Sequence, residues 1–491
     1  MSELPKGWVE ITIGDVAQVK GGKRLPQGSK LSSELTKYPY IRVKDFEKGS
    51  VNTLNLMYLE EVTHLAIKNY TISKSDLYIS IAGTIGLVGT IPQSLDGANL
   101  TENAAKLCEL TGVNRNYLKY VLSSSLAKAQ FEDKATSSGQ PKLALFRIKD
   151  CIFPLAPLAE QKRIVEKLDQ VLAQVDTIKA RLDGIPAILK RFRQSVLAAA
   201  VSGKLTEEWR KANFVKPISI SQVETEMFDL GLTHGNFGRK LDKAAAVSSE
   251  ELDVVVKHQD GWPLIRIGSI CESVVPNRDK PKTFTGGYHW LLTQNFNEQN
   301  IWIDYSKIEN GLSYEETKEY KAKIINVGNV IMTCVGRVGL SAVIQEDSVI
   351  NQQLHAFIVN KFIRAEFLAY CIRANVKYFE SKATSTTINY LNKTSCNSLP
   401  IPLPSIEEQT EIVRLVDQYF AFADTIEKQV QKAQQRVDKL TQSILAKAFR
   451  GELVPQNPDD EPADELLKRI AAARAESEAL AKAAKKVGKK K

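Results

Sequence analysis

The sequence predicts an α+β protein of two similar globular domains, mixed α/β and β-rich, joined by two long helices that form an antiparallel coiled coil. Three observations predict this class and its pseudo-twofold internal repeat: a repeat of half the chain, short β-rich runs in each half, and a heptad pattern after them. With 491 residues and 43% hydrophobic content, the chain has enough apolar material for two or three packed domains.

The repeat is visible in two stretches that lie about half a chain length apart. They are LAEQKRIVEKLDQVLAQVD (158–176) and IEEQTEIVRLVDQYFAFAD (406–424). Aligning Gln161 with Gln409 gives an offset of 248 residues. Upstream, GTIGL (83–87) corresponds to GRVGL (336–340) after small changes of offset that indicate loop insertions. The repeated unit is therefore a whole half of the protein.

Each half begins with β-rich runs such as LYISIAG or NVIMTCVG, which Gly, Asn and Ser separate, and then shows a short helical pattern. A long helix follows. The predicted boundaries are 1–156 and 258–404 for the two globular domains, 157–205 and 405–453 for the two helical regions, 206–257 for a linker and 454–491 for a basic tail.

The long helices carry apolar residues at alternating steps of four and three. The seam residues are Ile164, Leu168, Val171, Val175, Ile178, Leu182 and Leu189 in the first helix, and Ile412, Val416, Tyr419, Ile426, Val430, Val437 and Leu440 in the second. A strict 3.5-residue spacing over several heptads predicts a coiled-coil seam, and the two helices are each other's nearest partner. The alternative is that each helix packs into a separate core.

Helix ends and one interruption can also be predicted. Ser405 with Glu408 forms a capping-box pattern, and Gly203 and Gly451 stand where a C-terminal glycine ends a helix. Pro186 predicts a kink or local break in the first helix.

Charge and cysteine usage limit the function classes. The net charge of +9 suits a polyanion partner, although the lysine-rich tail holds part of the excess. Six scattered cysteines and five unclustered histidines predict neither a zinc site nor a disulfide framework. No stretch has the length of a membrane span and the N-terminus does not resemble a signal peptide, so a cytoplasmic protein is expected.

Two similar but non-identical domains with basic loops favour a DNA reader that contacts two different half-sites. Lysine and arginine can bind phosphate or guanine, and asparagine and glutamine can pair with adenine. The candidate DNA-binding residues are Lys20, Lys23, Arg24, Arg42, Lys44, Ser138, Gln140 and Lys142 in the first domain, and Arg278, Lys280, Lys282, Gln294, Asn295, Arg337, Thr386 and Asn389 in the second. Taken singly, each of these loops also fits a solvated surface, and only their recurrence supports the assignment.

Motifs for catalysis are missing from the sequence. Neither GxxxxGK[ST] nor GxGxxG occurs, and Asn457-Pro458-Asp459 lacks the rest of the Asn-Pro-Pro-Tyr motif of adenine methyltransferases. Glu160 and Lys162 are predicted to be surface charges on the helix. We therefore predict no catalytic residue, no metal site and no cofactor bound by this chain.

The helical regions, PLAEQKRIVEKLDQVLAQVDTIKARLDGIPAILKRFRQSVLAAAVSGKLTEEWR (157–210) and IEEQTEIVRLVDQYFAFADTIEKQVQKAQQRVDKLTQSILAKAFRGELV (406–454), resemble those of the specificity subunit of type I restriction-modification enzymes. The resemblance implies two target recognition domains that read a bipartite, asymmetric double-stranded DNA sequence, with the helices setting the spacer between its parts. It also implies two methylase subunits with S-adenosylmethionine and two restriction subunits with ATP and Mg. The chain itself would be a non-catalytic guide.

The sequence is less typical of two other function classes. A scaffold that joins two protein-binding domains would expose apolar pockets rather than paired cationic loops. An enzyme acting alone would need the nucleotide, methyl-donor or metal motifs that the sequence lacks.

Overall fold

A computed structural model describes the chain at 4–136, 141–216, 218–231, 247–259, 261–276, 280–384 and 388–472. The chain divides into two compact units. Unit 1 contains Met1–Leu182 and Lys432–Lys491, and unit 2 contains Asp183–Gln431. Within the described part, no helix combines the length and the apolar character that crossing a bilayer requires.

The strands of unit 1 are β1 (Val9–Thr12), β2 (Gln18–Gly21), β3 (Pro39–Ile41), β4 (Phe46–Glu47), β5 (Ser50–Val51), β6 (Met57–Tyr58), β7 (Thr71–Ile72), β8 (Leu77–Ser80), β9 (Val88–Thr90), β10 (Ala98–Leu100), β11 (Ala104–Cys108) and β12 (Ile152–Leu155). One sheet has the order β2-β11-β8-β9 and a second has the order β6-β3-β10-β7, while β1 pairs with β12 and β4 with β5. All pairings are antiparallel except that of β3 with β10.

The helices of unit 1 begin with α1 (Ile13–Val16), α2 (Glu61–Ala66), α3 (Arg115–Ser123), α4 (Ser125–Lys134) and α5 (Leu145–Lys149), followed by the first part of α6 (Leu158–Ser202). Short 3₁₀ turns lie at Val43–Asp45 and Gln93–Leu95. Every residue of β8 is buried, since it is an internal strand of its sheet.

Unit 2 repeats the two four-stranded sheets and the terminal strand pair of unit 1, but among its described residues no strand pair corresponds to β4–β5. Its strands are β13 (Leu264–Arg266), β14 (Glu272–Val274), β15 (Tyr288–Leu291), β16 (Gly311–Leu312), β17 (Ile324–Ile325), β18 (Val330–Thr333), β19 (Ser341–Val343), β20 (Ser348–Ile350), β21 (Leu354–Ile358) and β22 (Pro400–Pro402). The sheet orders are β14-β21-β18-β19 and β16-β15-β20-β17, with β13 paired to β22. The parallel pairing of β15 with β20 corresponds to that of β3 with β10.

The helices of unit 2 are α7 (Glu207–Ala212), α8 (Ile220–Asp229), α9 (Ser249–Val254), α10 (Ile267–Ile270), α11 (Tyr314–Glu319), α12 (Ala365–Ala374), α13 (Val376–Lys382), α14 (Lys393–Asn397) and the first part of α15 (Ile406–Phe449). Further 3₁₀ turns lie at Thr293–Asn295 and Tyr305–Lys307. The predicted mixed, β-rich fold of both domains is confirmed.

Both units contain a segment of α6 and a segment of α15, and in each unit these segments run antiparallel. In unit 1 the Nζ of Lys179 lies 2.6 Å from Oδ1 of Asp438. In unit 2 Arg193 forms ion pairs with Asp424 at 2.7 Å and with Glu427 at 3.0 Å. Each antiparallel pair also packs into the core of its own unit, so the coiled-coil prediction and its alternative both hold in part.

The predicted seam is buried over most of its length. Buried members are Ile164, Leu168, Val175, Leu189, Ile412, Val416 and Val430, and half-buried members are Val171, Leu182, Ile426 and Val437. Ile178, Tyr419 and Leu440 are the most exposed members, at 45%, 40% and 43%, although the Tyr419 ring contacts that of Phe192 on the other helix. A pair of helices without a further layer covers only one side of each side chain at these positions.

Of the kink or local break predicted at Pro186, the break is wrong, because α6 is continuous from Leu158 to Ser202. The kink stays a prediction. Proline removes one backbone donor from the helix and frees the carbonyl four residues earlier. Gly184, Pro186 and Ile188 are all exposed, so water can satisfy that carbonyl.

The linker and the start of the tail are packed where the structure describes them. Val223, Met227 and Val255 of the linker belong to the core of unit 2. In unit 1, Ala463 is fully buried and its N–H donates to Gly7 O at 2.9 Å, within a helical segment at 463–472. The start of the predicted basic tail is therefore packed on unit 1, and the lysine cluster lies outside the described residues.

Candidate nucleic-acid interface

The 3₁₀ turn after β3 and the 3₁₀ turn after β15 have the same internal hydrogen bond. Asp45 Oδ2 accepts from the N–H of Arg42 at 2.8 Å, and Asn295 Oδ1 accepts from the N–H of Leu292 at 2.8 Å. The middle residue of each turn is exposed. Two predicted residues, Lys44 and Gln294, occupy that position. The same backbone turn therefore exposes a charged amine in unit 1 and a neutral amide in unit 2.

Two other predicted residues have structural roles in these turns. Arg42 donates to both carboxylate oxygens of Asp45, at 2.9 and 2.8 Å, and to Asn55 O at 2.7 Å, so its guanidinium is occupied. Asn295 is 1% exposed. Its assignment as a DNA contact is corrected, because the capping bond that its side chain makes lies inside the domain.

A second turn lies beside the first in each unit and was missed by the sequence analysis. It joins β10 to β11 at 101–103 and β20 to β21 at 351–353. Thr101 donates its N–H to Ile41 O at 3.1 Å, and Asn351 donates its N–H to Leu291 O at 3.2 Å. The signal was present in the sequence, because TEN and NQQ precede corresponding strands of the repeat.

The loop at 136–142 and its counterpart at 384–390 are closed in the same way. Thr136 N–H donates to Lys142 O at 3.1 Å, and Thr384 N–H donates to Tyr390 O at 3.0 Å. Lys142 forms a β-bridge with Ala82, as Tyr390 does with Val335. These bridges bring two predicted residues, the exposed Lys142 and the half-buried Asn389, beside the loops GTIGL and GRVGL. The predicted Ser138, Gln140 and Thr386 lie outside the described residues.

The loop after β2 approaches the 101–103 turn closely. Gly22 has no room for a side chain, since a Cβ there would lie 2.0 Å from Thr101 O. Lys23 lies over the Tyr70 ring at 5.3 Å, and Arg24 Nε donates to Glu102 Oε1 at 3.0 Å. The Arg24 side chain is nevertheless 82% exposed.

Glu102 is the counter-charge in this region. Burial opposes its ionisation, but the hydrogen bond from Arg24 and bonds within the turn outweigh burial and leave the pKa of Glu102 below its ordinary value. Arg24, Arg42 and Lys44 surround one surface depression together with Thr101 and Glu102. The structure thus brings three predicted cations of unit 1 to one depression, where Arg24 pairs with Glu102 and Arg42 pairs with Asp45.

Four predicted residues lie away from these turns or are paired elsewhere. Lys20 donates to Glu109 at 2.6 Å, which raises the pKa of Lys20, and Glu109 follows β11 at the end opposite to the 101–103 turn. Lys280 and Lys282 are exposed on either side of the buried Pro281. Arg337 forms an ion pair with Glu298. The predicted Arg278 lies outside the described residues.

We call these surfaces the loop faces. The unit 1 loop face consists of 22–24, 43–45, 82–87, 101–103 and the described ends of 136–142. The unit 2 loop face consists of 293–295, 335–340, 351–353 and the described ends of 384–390. The two faces have one backbone plan and different side chains.

Each domain is fastened to its long helix by a buried tryptophan–glutamate bond. Trp8 Nε1 donates to Glu160 Oε2 at 2.9 Å, and Trp262 Nε1 donates to Glu408 Oε2 at 3.1 Å. The prediction of Glu160 as a surface charge is wrong, since it is 1% exposed and burial raises its pKa. Ser405 caps the N–H of Glu408, but the Glu408 carboxylate bonds Trp262 instead of completing the predicted capping box.

A buried glutamine adds a second attachment in each unit. Gln161 Oε1 accepts from Asn114 N–H at 2.7 Å, and Gln409 Oε1 accepts from Arg364 N–H at 2.8 Å. Both glutamines are fully buried. The repeated EQ dipeptide, visible in the sequence, therefore positions each domain on its helix.

No group of three or more metal-ligating side chains occurs among the described residues. The six cysteines are buried free thiols.

Comparison with known proteins identifies the family. The family model for the type I restriction modification DNA specificity domain matches residues 5–187 and 259–435. This chain belongs to that family. The two matched segments coincide closely with the two repeats, including much of both long helices. Two relatives agree with the assignment, and two solved structures share the fold.

The specificity subunit of the type I restriction enzyme EcoBI from Escherichia coli is 32% identical over 485 residues, which cover 96% of this chain and 93% of the relative. That of StySPI from Salmonella potsdam is 31% identical, with 97% of each chain covered. The HsdS subunit from Thermoanaerobacter tengcongensis has a TM-score of 0.53 at 18% identity, covering 92% of this chain and 98% of that one. A chain from a structural study of complex assembly and conformational transition of the type I R-M system has a TM-score of 0.57 at 17% identity, covering 92% and 100%.

The family membership decides between the function classes raised by the sequence. The matching model describes a DNA specificity domain, and both repeats match it. The scaffold without DNA is therefore not favoured, and the chain is a specificity subunit rather than a catalytic one.

Proposed function

We propose that this chain directs a type I restriction-modification complex to a split, asymmetric DNA target, with unit 1 reading one part and unit 2 the other. The observation that carries the proposal is the repetition of the loop face: the same turns, closed by the same backbone hydrogen bonds, recur in both units. Equivalent frames with different side chains suit two half-sites of different sequence.

The chemistry of the loop faces supports this division. Unit 1 offers Arg24 and Lys44 around the 101–103 turn, where cations can reach phosphate or guanine. Unit 2 offers the amide of Gln294 at the position of Lys44. In this proposal phosphate contacts set the register of each domain, and the neutral groups contribute sequence discrimination.

The reactions belong to partner subunits in this proposal. Methylase subunits, two per complex, would bring S-adenosylmethionine, and restriction subunits would bring ATP and Mg. The repeated helices and the duplicated attachment of domain to helix support two equivalent docking sites for the methylase.

The first experiment is to co-express this chain with its methylase subunit and to map methylated adenines genome-wide by single-molecule sequencing. We expect a motif in two unequal parts with a fixed gap. An undivided motif, or no methylation from a complex shown to be assembled, would contradict the proposal.

A second experiment tests the unit 1 loop face. Alanine at both Lys23 and Arg24 removes two cations, so affinity should fall and the slope of log K against log salt should decrease by about 1 to 2. The slope is measured with target and scrambled duplexes, and we expect the same decrease on both because phosphate contacts carry no sequence information. An unchanged slope would remove this loop from the interface.

A further inference from the structure

The turns at 101–103 and 351–353 present an amide side chain at the same position. Asn103 and Gln353 are the last residues before β11 and β21, and both are exposed. In each turn, the residue two positions earlier is buried. Thr101 Oγ1 accepts from the N–H of Asn103 at 3.5 Å, and Asn351 Oδ1 accepts from the N–H of Gln353 at 3.1 Å.

The backbone that carries these amides is fixed by the neighbouring strand. Asn103 O accepts from the N–H groups of Ile81 at 2.8 Å and of Ala82 at 3.3 Å. Gln353 O accepts from the N–H of Cys334 at 2.8 Å. A side chain on such an anchored turn loses little backbone entropy on binding, which favours a specific contact.

Asn103 lies between groups already assigned to DNA, and Gln353 lies next to the corresponding β-bridge of unit 2. On one side, Ala82 bridges to Lys142 and Val335 bridges to Tyr390. On the other side, Asn103 shares its surface depression with Lys44. In unit 1, cations at the edge and an amide at the centre form the arrangement expected where phosphate contacts surround a base contact.

We propose that Asn103 and Gln353 are specificity-determining residues, and that each reads an adenine in the part of the target bound by its own unit. An amide can donate to adenine N7 and accept from adenine N6, a pairing that no other base edge satisfies as well. This inference rests on the proposed function, because it assigns the discriminating groups within the proposed loop faces.

The test uses the complex of the full chain with its methylase subunits and compares the methylated motif of each variant with that of the parent. Asn103→Ala should relax one A·T position in one part of the motif by about tenfold or more and leave the other part unchanged. Gln353→Ala should relax one A·T position in the other part. Asn103→Asp is close in shape but cannot donate to N7, so it should relax the same position as Asn103→Ala.

Matched controls lie before β10 and β20, the strands that lead into the two turns. Gln93 precedes β10 and Gln345 precedes β20, and both are exposed amides. Gln93→Ala and Gln345→Ala should leave the motif unchanged in both parts. If these control variants relaxed the motif as much as Asn103→Ala and Gln353→Ala do, the assignment of Asn103 and Gln353 as specificity-determining residues would be overturned.

The outcomes separate the inference from the function on which it rests. If the parent complex has a split motif and Asn103→Ala and Gln353→Ala keep it in full, the inference fails while the proposed function stands. If the parent complex itself lacks a split motif, the proposed function fails first. Relaxation at a G·C position would overturn the adenine assignment.

Discussion

Unit 1 and unit 2 attach their long helix with the same tryptophan–glutamate bond but treat the second carboxylate oxygen differently. Glu408 Oε1 accepts from Thr206 Oγ1 at 2.7 Å and also forms an ion pair with Arg210. Glu160 Oε1 is buried without a hydrogen-bond partner among the described residues. The tryptophan–glutamate bond lies within the repeat and is present in both units. The groups that contact the second carboxylate oxygen of Glu408 come from a segment that is not repeated.

The non-repeated segments are the linker and the tail. The linker supplies Thr206 and Arg210 to Glu408, while the tail supplies Asp460, which pairs with Arg163 at 2.6 Å. The comparison shows that two copies of one framework acquire different electrostatics when different chain segments pack on them. The loop faces show the same principle, since Lys44 and Gln294 occupy one position.

The largest expected difference is in the stability that each unit loses when Glu160 or Glu408 is replaced by neutral glutamine. Glu408→Gln leaves the half-buried Arg210 without its counter-ion and should lower the stability of unit 2 by about 2–3 kcal/mol. Glu160→Gln should change unit 1 by less than about 1 kcal/mol at neutral pH, because a neutral amide avoids the cost of a buried charge. Hydrogen exchange measured by mass spectrometry reads the two units separately. Equal losses in both variants would contradict the comparison.

Acid should destabilise the two units unequally. Burial opposes the ionisation of Glu251, but hydrogen bonds from Arg266, Lys382 and Tyr378 prevail and lower its pKa to about 2. A depressed folded-state pKa gives stability that is present above the ordinary pKa near 4.5 and is lost as the pH falls toward 2. Unit 2 should therefore lose on the order of 2 kcal/mol over that window.

Glu160 acts with the opposite sign in unit 1. Its raised pKa means that its contribution to stability is present below the ordinary pKa and is lost as the pH rises through the folded-state value. Hydrogen exchange from pH 5 to pH 2.5 checks both units, with Glu251→Gln as the control that should reduce the response of unit 2; the pKa of Glu316 is also lowered, to about 2, so part of the response remains. A parallel response of the two units would be evidence against the assignment.

A smaller difference is expected between the ion pairs that join the helices. Arg193 is 8% exposed on its side chain, and Arg193→Met should cost unit 2 about 1 kcal/mol. Lys179 and Asp438 are 52% and 58% exposed, and Lys179→Met should cost unit 1 less than about 0.5 kcal/mol. Urea denaturation at low and high salt measures both, and only the Lys179 pair should be sensitive to salt.

The smallest expected effect is a change in the salt dependence of DNA binding, which compares Lys44 of the unit 1 loop face with Gln294 of the unit 2 loop face. Lys44→Gln gives unit 1 the residue type of unit 2 at this position and should lower the salt slope of DNA binding by about 1. Gln294→Ala should leave the slope unchanged, because no charge is removed. If the salt slope changed in both variants, the charge of Lys44 would not explain the difference between the two loop faces.

Much of the candidate site could be predicted from the sequence, and the errors have one cause. Lys44 and Gln294 were predicted as DNA contacts because they lie in polar loops, and both are exposed, as that role requires. Asn295 was placed on the surface and Asn103 was missed, although both are asparagines in short polar turns. Residue type and local pattern do not distinguish an asparagine that caps its own turn from one that is displayed by it.

The sequence by itself determined the repeat, the long helices, the strand-rich domains and the family, because periodicity and motif similarity are properties of the chain read in order. Only the tertiary structure decided which polar groups hold the framework and which face solvent. Glu160 shows the reason: it looks like a helix-surface charge in its own segment, and it is buried because Trp8, far away in the chain, packs on it. Burial of a polar side chain depends on such distant partners, which the local pattern does not record.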